Sequence, residues 1–307
     1  MRILLTGATG FAGSLLLPRL HRAGHDVRAF ARDPTRLHIP IAWYIKTVRG
    51  DVISGAGLDE ALQGIEVAYY LIHSMDAASG RHFPEQEGLA ATNFASAAQR
   101  AGVGRIVYLG GLLPQTQATS RHLASRLAVE RILLEAVPDS VALRASIVIG
   151  ARSRSFRFLV RLIERMPVLT LPAWQRHRTA PIDARDVAQM LLAAAHVPSV
   201  GGRSLDIGGP DILSYREMIE RIAELMLVGR PAITLPLNVT PIAARLAAAI
   251  ATEDPELVLP LMESLSGDLL PADDHAAELL HVKLHSFDAA VEHALAEWEA
   301  VEPLRAR

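Results

Sequence analysis

Gly7, Gly10 and Gly13 stand three residues apart, between the apolar run Ile3 to Leu5 and a stretch of helical character. Glycine at the first position allows a tight turn, at the second a close approach of a bound group to the main chain, and at the third close packing of helix on strand. Backbone N–H groups at the start of such a helix point at an anion, so Gly7, Thr9, Gly10, Phe11, Ala12 and Gly13 are the predicted contacts of a dinucleotide's diphosphate. A second strand, Asp26 to Arg32, ends where an acidic side chain would grip the ribose hydroxyls of NAD. Ala31 and Arg32 occupy that place instead. An uncharged residue followed by arginine suits a 2′-phosphate, with Arg36 as a second cation, so NADP is expected in preference to NAD. The alternative for Arg32 is an ordinary solvated arginine at a strand end.

Further candidates lie where other strands should end. Asp51, with Val52 beside it, either meets the adenine of the nucleotide or ties off a turn. The buried run Val67 to Ile72 leads to His73 and Ser74, which face cofactor or substrate if ligands sit beyond the carboxyl ends of the strands. His73 has either a catalytic or a structural part there. His122 and Arg126 fall four residues apart with Glu130, hence on one helix face. An imidazole is a competent acid or base near neutral pH, and an arginine one turn away favours its neutral form. His281 and His285 share the same spacing, but no third ligand lies close in sequence and no metal site is expected.

The elements that must position these residues alternate strand and helix. Strands are predicted over Arg105 to Gly111, Val141 to Gly150, Arg178 to Asp183 and Leu205 to Pro210, with helices from the glycine turn to about Ala23, around Glu87 to Ala101, from Ser120, over Ser153 to Met166, over Ala184 to Ala195 and from Ser214 to about Met226. Pro18 predicts a kink in the first of these. The fold expected is α/β, a Rossmann doubly wound parallel sheet with a smaller, mostly helical C-terminal substrate lobe. Residues 1–150, completed by about 178–208, would hold the nucleotide; residues 151–177 and 209–307 would form the substrate or partner lobe. Arg154, Arg157, Arg161 and Arg165 fall near one helix face, which serves an anion or is simply solvated. The apolar stretch Ala232 to Ala251 belongs to the core or meets a lipid surface, and further helices are expected at Thr240-Pro241, Asp254-Pro255 and Ser286.

Composition narrows the classes. The chain has 307 residues, half of them hydrophobic, a net charge of −2 and no cysteine. Disulfides, thiolate metal sites and a cysteine nucleophile are excluded. A near-neutral balance argues against a nucleic-acid partner. No apolar run approaches the ~18 residues of a membrane span, and the N-terminal run gives way at once to the glycine turn, so no integral membrane association and a cytoplasmic location are expected.

Several stretches together resemble one family. Thr6 to Gly13, Leu143 to Gly150, Pro181 to Ala188 and Asp206 to Pro210 are similar to the motifs of an extended short-chain dehydrogenase/reductase, over about Met1 to Ala223. Tyr69 to Met75, Tyr108 to Leu112 and His122 to Arg126 resemble an atypical subgroup, similar to the NmrA-like proteins and to the NADPH-binding accessory subunit of respiratory complex I. That resemblance implies pairing of two chains through the helices flanking the fifth strand. It also implies a Tyr-x-x-x-Lys proton relay, yet His122 and Arg126 hold those positions, and Gly110 and Gly111 replace the usual serine or threonine. The expected activity is hydride transfer between NADP(H) and a small quinone, enone or carbonyl compound; the alternative is a redox sensor or scaffold that binds NADP(H) without chemistry.

Overall fold

Short apolar runs, each followed by a helical stretch, bury both faces of a parallel sheet. The computed structural model describes residues 1–37, 39–40, 43–72, 83–114, 120–234, 267–273, 275–302 and 304. In chain order come β1 (Arg2–Thr6), α1 (Phe11–Arg22), β2 (Asp26–Ala31), β3 (Lys46–Arg49), α2 (Leu58–Leu62), β4 (Val67–Tyr70), α3 (Phe83–Arg100), β5 (Arg105–Gly111), α4 (Arg121–Ala136) and β6 (Val141–Ala145). Then follow β7 (Val148–Ile149), α5 (Arg154–Arg165), β8 (Leu169–Leu171), β9 (Arg178–Thr179), β10 (Ile182–Asp183), α6 (Ala184–Ala194), β11 (Arg203–Ile207), β12 (Leu213–Ser214), α7 (Tyr215–Leu225), β13 (Ala232–Thr234), α8 (Ala276–Leu279) and α9 (Phe287–Glu299). The helices predicted at Thr240 and Asp254 lie outside the described residues.

Among the described residues, seven strands pair in the order β11-β6-β5-β4-β1-β2-β3, all in parallel. This is the doubly wound arrangement, whose order reverses between β1 and β4. Side chains alternate along each strand: Ile3 and Leu5 enter a core with Leu16 and Leu20 of α1 and Leu191 of α6, while Leu4 enters the opposite core with Phe94 of α3 and Leu133 of α4. A third core joins Ile149, Phe156 and Val160 to Tyr215 and Ile222 of α7 and to Phe287, Val291 and Trp298 of α9. α1 continues through Pro18 to Arg22 as one helix.

Two predicted strands are in fact broken. The run Val141 to Gly150 splits at Ser146-Ile147: the Ser146 N–H makes the last bond of the β6–β11 ladder, to the Ile207 carbonyl at 3.0 Å where β11 ends, and its hydroxyl pairs with that of Thr179 at 2.9 Å. β7 then leaves the main sheet to pair with β10. The run Arg178 to Asp183 splits at Ala180-Pro181, where proline has no N–H for a ladder. The arginine face of α5 is neither solvated nor turned to an outside anion at its middle: Arg157 and Arg161 stack on Trp298 at 4.3 and 4.9 Å and both pair with Glu302. His285 is likewise engaged, its Nδ1 lying 2.6 Å from Asp186 Oδ1 while its main-chain N–H donates to Oδ2.

Candidate dinucleotide-binding site

At the point where the strand order reverses, Thr6 ends β1 fully buried. Its hydroxyl donates to the Tyr69 carbonyl at 2.7 Å and accepts from the Leu71 N–H at 3.3 Å, which fixes the end of β1 against β4. Gly7 then turns with φ +68°, and a Cβ there would overlap the Leu71 carbonyl oxygen. The Gly10 N–H closes the turn on the Gly7 carbonyl at 2.9 Å. Gly10 caps α1 without any side-chain oxygen, so the first N–H groups of the helix gain no capping partner from it. At Gly13 a Cβ would collide with Gly7 and come within 2.8 Å of Ala8 Cα. The result is a cradle of main-chain donors with side chains excluded at Gly7 and Gly13 and crowded at Gly10, which fits a diphosphate.

The far end of the cradle is basic. Asp33 caps a 3-10 turn, Pro34–Arg36, by accepting from the Thr35 N–H at 3.1 Å and its hydroxyl at 2.6 Å. Those two bonds hold the Asp33 carboxyl below its usual range, and the nearby guanidinium groups of Arg36 and Arg49 lower it further. Arg49 is a residue that sequence reading missed. It ends β3 in register with Ala31, so it stands beside the residue preceding Arg32. The only signal was a basic residue just before the Gly50-Asp51 turn, and that becomes informative once the β2–β3 pairing is known.

Asp51 Oδ1 accepts from the Ile53 N–H at 2.9 Å, a turn contact. Val52 is buried in the core and its carbonyl accepts from Asn93 at 3.1 Å. His73 and Ser74 lie outside the described residues.

At the carboxyl end of β5, Gly111 lets α4 come close: a Cβ there would lie 3.3 Å from Leu123 and 3.9 Å from Arg126, while a Cβ on Gly110 would meet the Tyr108 ring at 3.0 Å. Ser120 caps α4 through the Leu123 N–H at 3.3 Å. His122 and Arg126 do come together, with Arg126 Nε–H donating to His122 Nε2 at 3.2 Å. Arg126 is itself buried. Burial first, and the Arg126 charge second, push the His122 imidazole down to about 4. The ring is therefore neutral at physiological pH, and with Nε2 accepting, its proton sits on Nδ1. Glu130, on the same face, serves a different purpose: it receives Arg144 of β6 at 2.6 and 3.0 Å and the Ser204 hydroxyl at 2.6 Å. Tyr108 does not stand in for the relay that the resemblance implies, since burial drives its phenol up to about 12 and its hydroxyl donates to the Arg126 carbonyl.

Comparison with known proteins agrees with this geometry. Residues 7–141 match the family described as NAD(P)H-binding. A ceramide reductase of Caulobacter vibrioides is 28% identical over 240 residues, 76% of this chain and 73% of that protein. A (4-alkanoyl-5-oxo-2,5-dihydrofuran-3-yl)methyl phosphate reductase of Streptomyces griseus is 28% identical over 234 residues, 75% of this chain and 74% of the other. Among solved structures, a nucleoside-diphosphate-sugar epimerase from Staphylococcus aureus superposes with a TM-score of 0.77, covering 95% of this chain and 100% of that one at 17% identity, which bears on the fold. No described helix is long and apolar enough to cross a membrane. The glycine cradle thus lies at the reversal of a Rossmann-type sheet, within the residues, 7–141, that match the NAD(P)H-binding family.

Proposed function

We infer that the protein is an NADPH-dependent reductase of a small organic acceptor of quinone, enone or carbonyl type. The observation that carries this reading is the combination of a diphosphate cradle with Arg32, Arg36 and Arg49 around the ends of β2 and β3. Both relatives named above are reductases, which supports the direction. A reduced nicotinamide, when bound, supplies the hydride. His122 contributes as a neutral donor through Nδ1–H, stabilising negative charge that grows on the acceptor oxygen, and Arg126 keeps the ring in that tautomer. The proton that completes the reduction comes from water, because an imidazole held near 4 is not charged at neutral pH.

This assignment predicts a flat pH profile. His122 titrates near 4, so the rate with NADPH is expected to show no inflection near 6.5, and the His122 ring signals followed by NMR should move only below about pH 5. Replacing Arg126 by methionine removes one of the two causes, and the midpoint should rise. An NMR midpoint near 6.5 in the unaltered protein would contradict the account.

The functional test is NADPH titration followed by incubation with quinones, enones and aldehydes, reading loss of the nicotinamide absorbance. Tight binding without turnover on any of these would favour the second reading, a nucleotide-binding sensor or scaffold. The observation behind that alternative is that Gly110 and Gly111 offer no hydroxyl and that Arg126 already engages His122.

A further inference from the structure

Arg152 carries an electrostatic conflict at the opening of α1. It lies beyond β7, in the segment leading to α5, and its Nη1 donates to Ser14 Oγ at 3.2 Å. Ser14 belongs to the first turn and a half of α1, where its hydroxyl also donates to the Phe11 carbonyl at 2.9 Å. Gly150 makes this approach possible: a Cβ there would meet the Phe11 ring and Ala184 Cβ, each at 2.9 Å, so the segment can settle on the first residue of the helix. The N-terminus of a helix bears partial positive charge and favours anions, whereas cations belong at the other end. α1 obeys that rule elsewhere, with Arg19, His21 and Arg22 in its last turn. Its first turn contains no acidic residue to balance Arg152. An exposed guanidinium is thus held at the positive end of the helix, an arrangement that a bound anion would turn from repulsive to favourable.

We propose that Arg152 is a ligand of the nucleotide's diphosphate, closing from the second lobe over an anion already received by the N–H groups of the Gly7–Gly13 turn. The proposal rests on the nucleotide reading above and adds a residue outside the family-matched segment 7–141. One N–H of the guanidinium is used on Ser14, which orients the planar fork, and the remaining N–H groups provide bidentate contact with phosphate oxygens. A lysine could supply the charge but not the fork.

The test is binding, not turnover. NADPH, NADH and 2′-phospho-ADP-ribose are titrated by calorimetry into the full chain and into Arg152→Ala, Arg152→Gln and Arg152→Lys. Loss of about tenfold in affinity for all three probes is expected in the alanine and glutamine variants, the equivalent of one charge-assisted hydrogen bond, with partial recovery in the lysine variant. The ratio of NADPH to NADH affinity should not change, because the contact is at the diphosphate. Unaltered affinity for all three probes overturns the proposal, as does a loss confined to NADPH and NADH, which would move Arg152 to the nicotinamide end. If the unaltered protein binds none of the probes, the nucleotide reading itself fails, and the proposal with it. Arg152 is exposed and stands against charge of its own sign, so the variants should melt no lower than the unaltered chain when no ligand is present.

Discussion

Gly7→Ala is expected to destabilise the protein by about 2–5 kcal/mol and to abolish nucleotide binding, the sum of ~1–2 kcal/mol for a left-handed Cβ and ~1–3 kcal/mol for overlap with neighbouring atoms. The overlap is with the Leu71 carbonyl, a main-chain atom with no rotamer to escape into. The turn cannot swing aside either, because the Thr6 hydroxyl ties it to the neighbouring stretch of chain on both sides of Tyr70, at the Tyr69 carbonyl and the Leu71 N–H. Gly24→Ala is the matched control. Gly24 has a similar φ of +75° but nothing within 4 Å of the place a methyl group would take, so only the conformational cost should appear. Urea denaturation of the two variants measures the difference, and equal losses would refute the steric account.

Removing the three arginines together, Arg32→Ala/Arg36→Ala/Arg49→Ala, is expected to weaken NADPH about 100-fold while leaving NADH within about threefold. Each exposed guanidinium is assigned ~1 kcal/mol, at the lower end for hydrogen bonds to charged groups because solvent screens the pair. The NADPH affinity should also lose part of its salt dependence. Arg49→Ala alone is the sharper measurement, since it tests a residue selected by register with Ala31 and by nothing local. If the triple variant binds the two nucleotides in the ratio seen for the unaltered chain, the choice of NADPH falls, though the cradle would stand.

Local signals were legible in the sequence. The serine caps Ser120, Ser153, Ser214 and Ser286 each start the helix expected of them, because a cap is decided by a hydroxyl and an N–H three residues on. The glycine turn and β5 were equally readable. What escaped depends on residues far apart in the chain. The break after Ala145 needs Thr179 and Ile207; the place of Arg49 needs the β2–β3 ladder; the arginines of α5 need Trp298, which comes more than a hundred residues later. His122 is the most instructive case. The depressing effect of Arg126 follows from i, i+4 spacing, but the larger cause, burial, is created by packing that spacing does not encode.

The third core has a consequence for how the molecule comes apart. Its side chains come from residues 149–171, 213–228 and 287–304, and between the first two of these the chain returns to supply α6 and the edge strand β11 to the main sheet. A fragment ending at residue 150 would lack Leu191 and Leu205 and leave one face of the sheet wet, so neither half is expected to survive as an excised piece. Calorimetry should register a single melting event, and limited proteolysis should yield nicked chains that remain associated until denaturant is added.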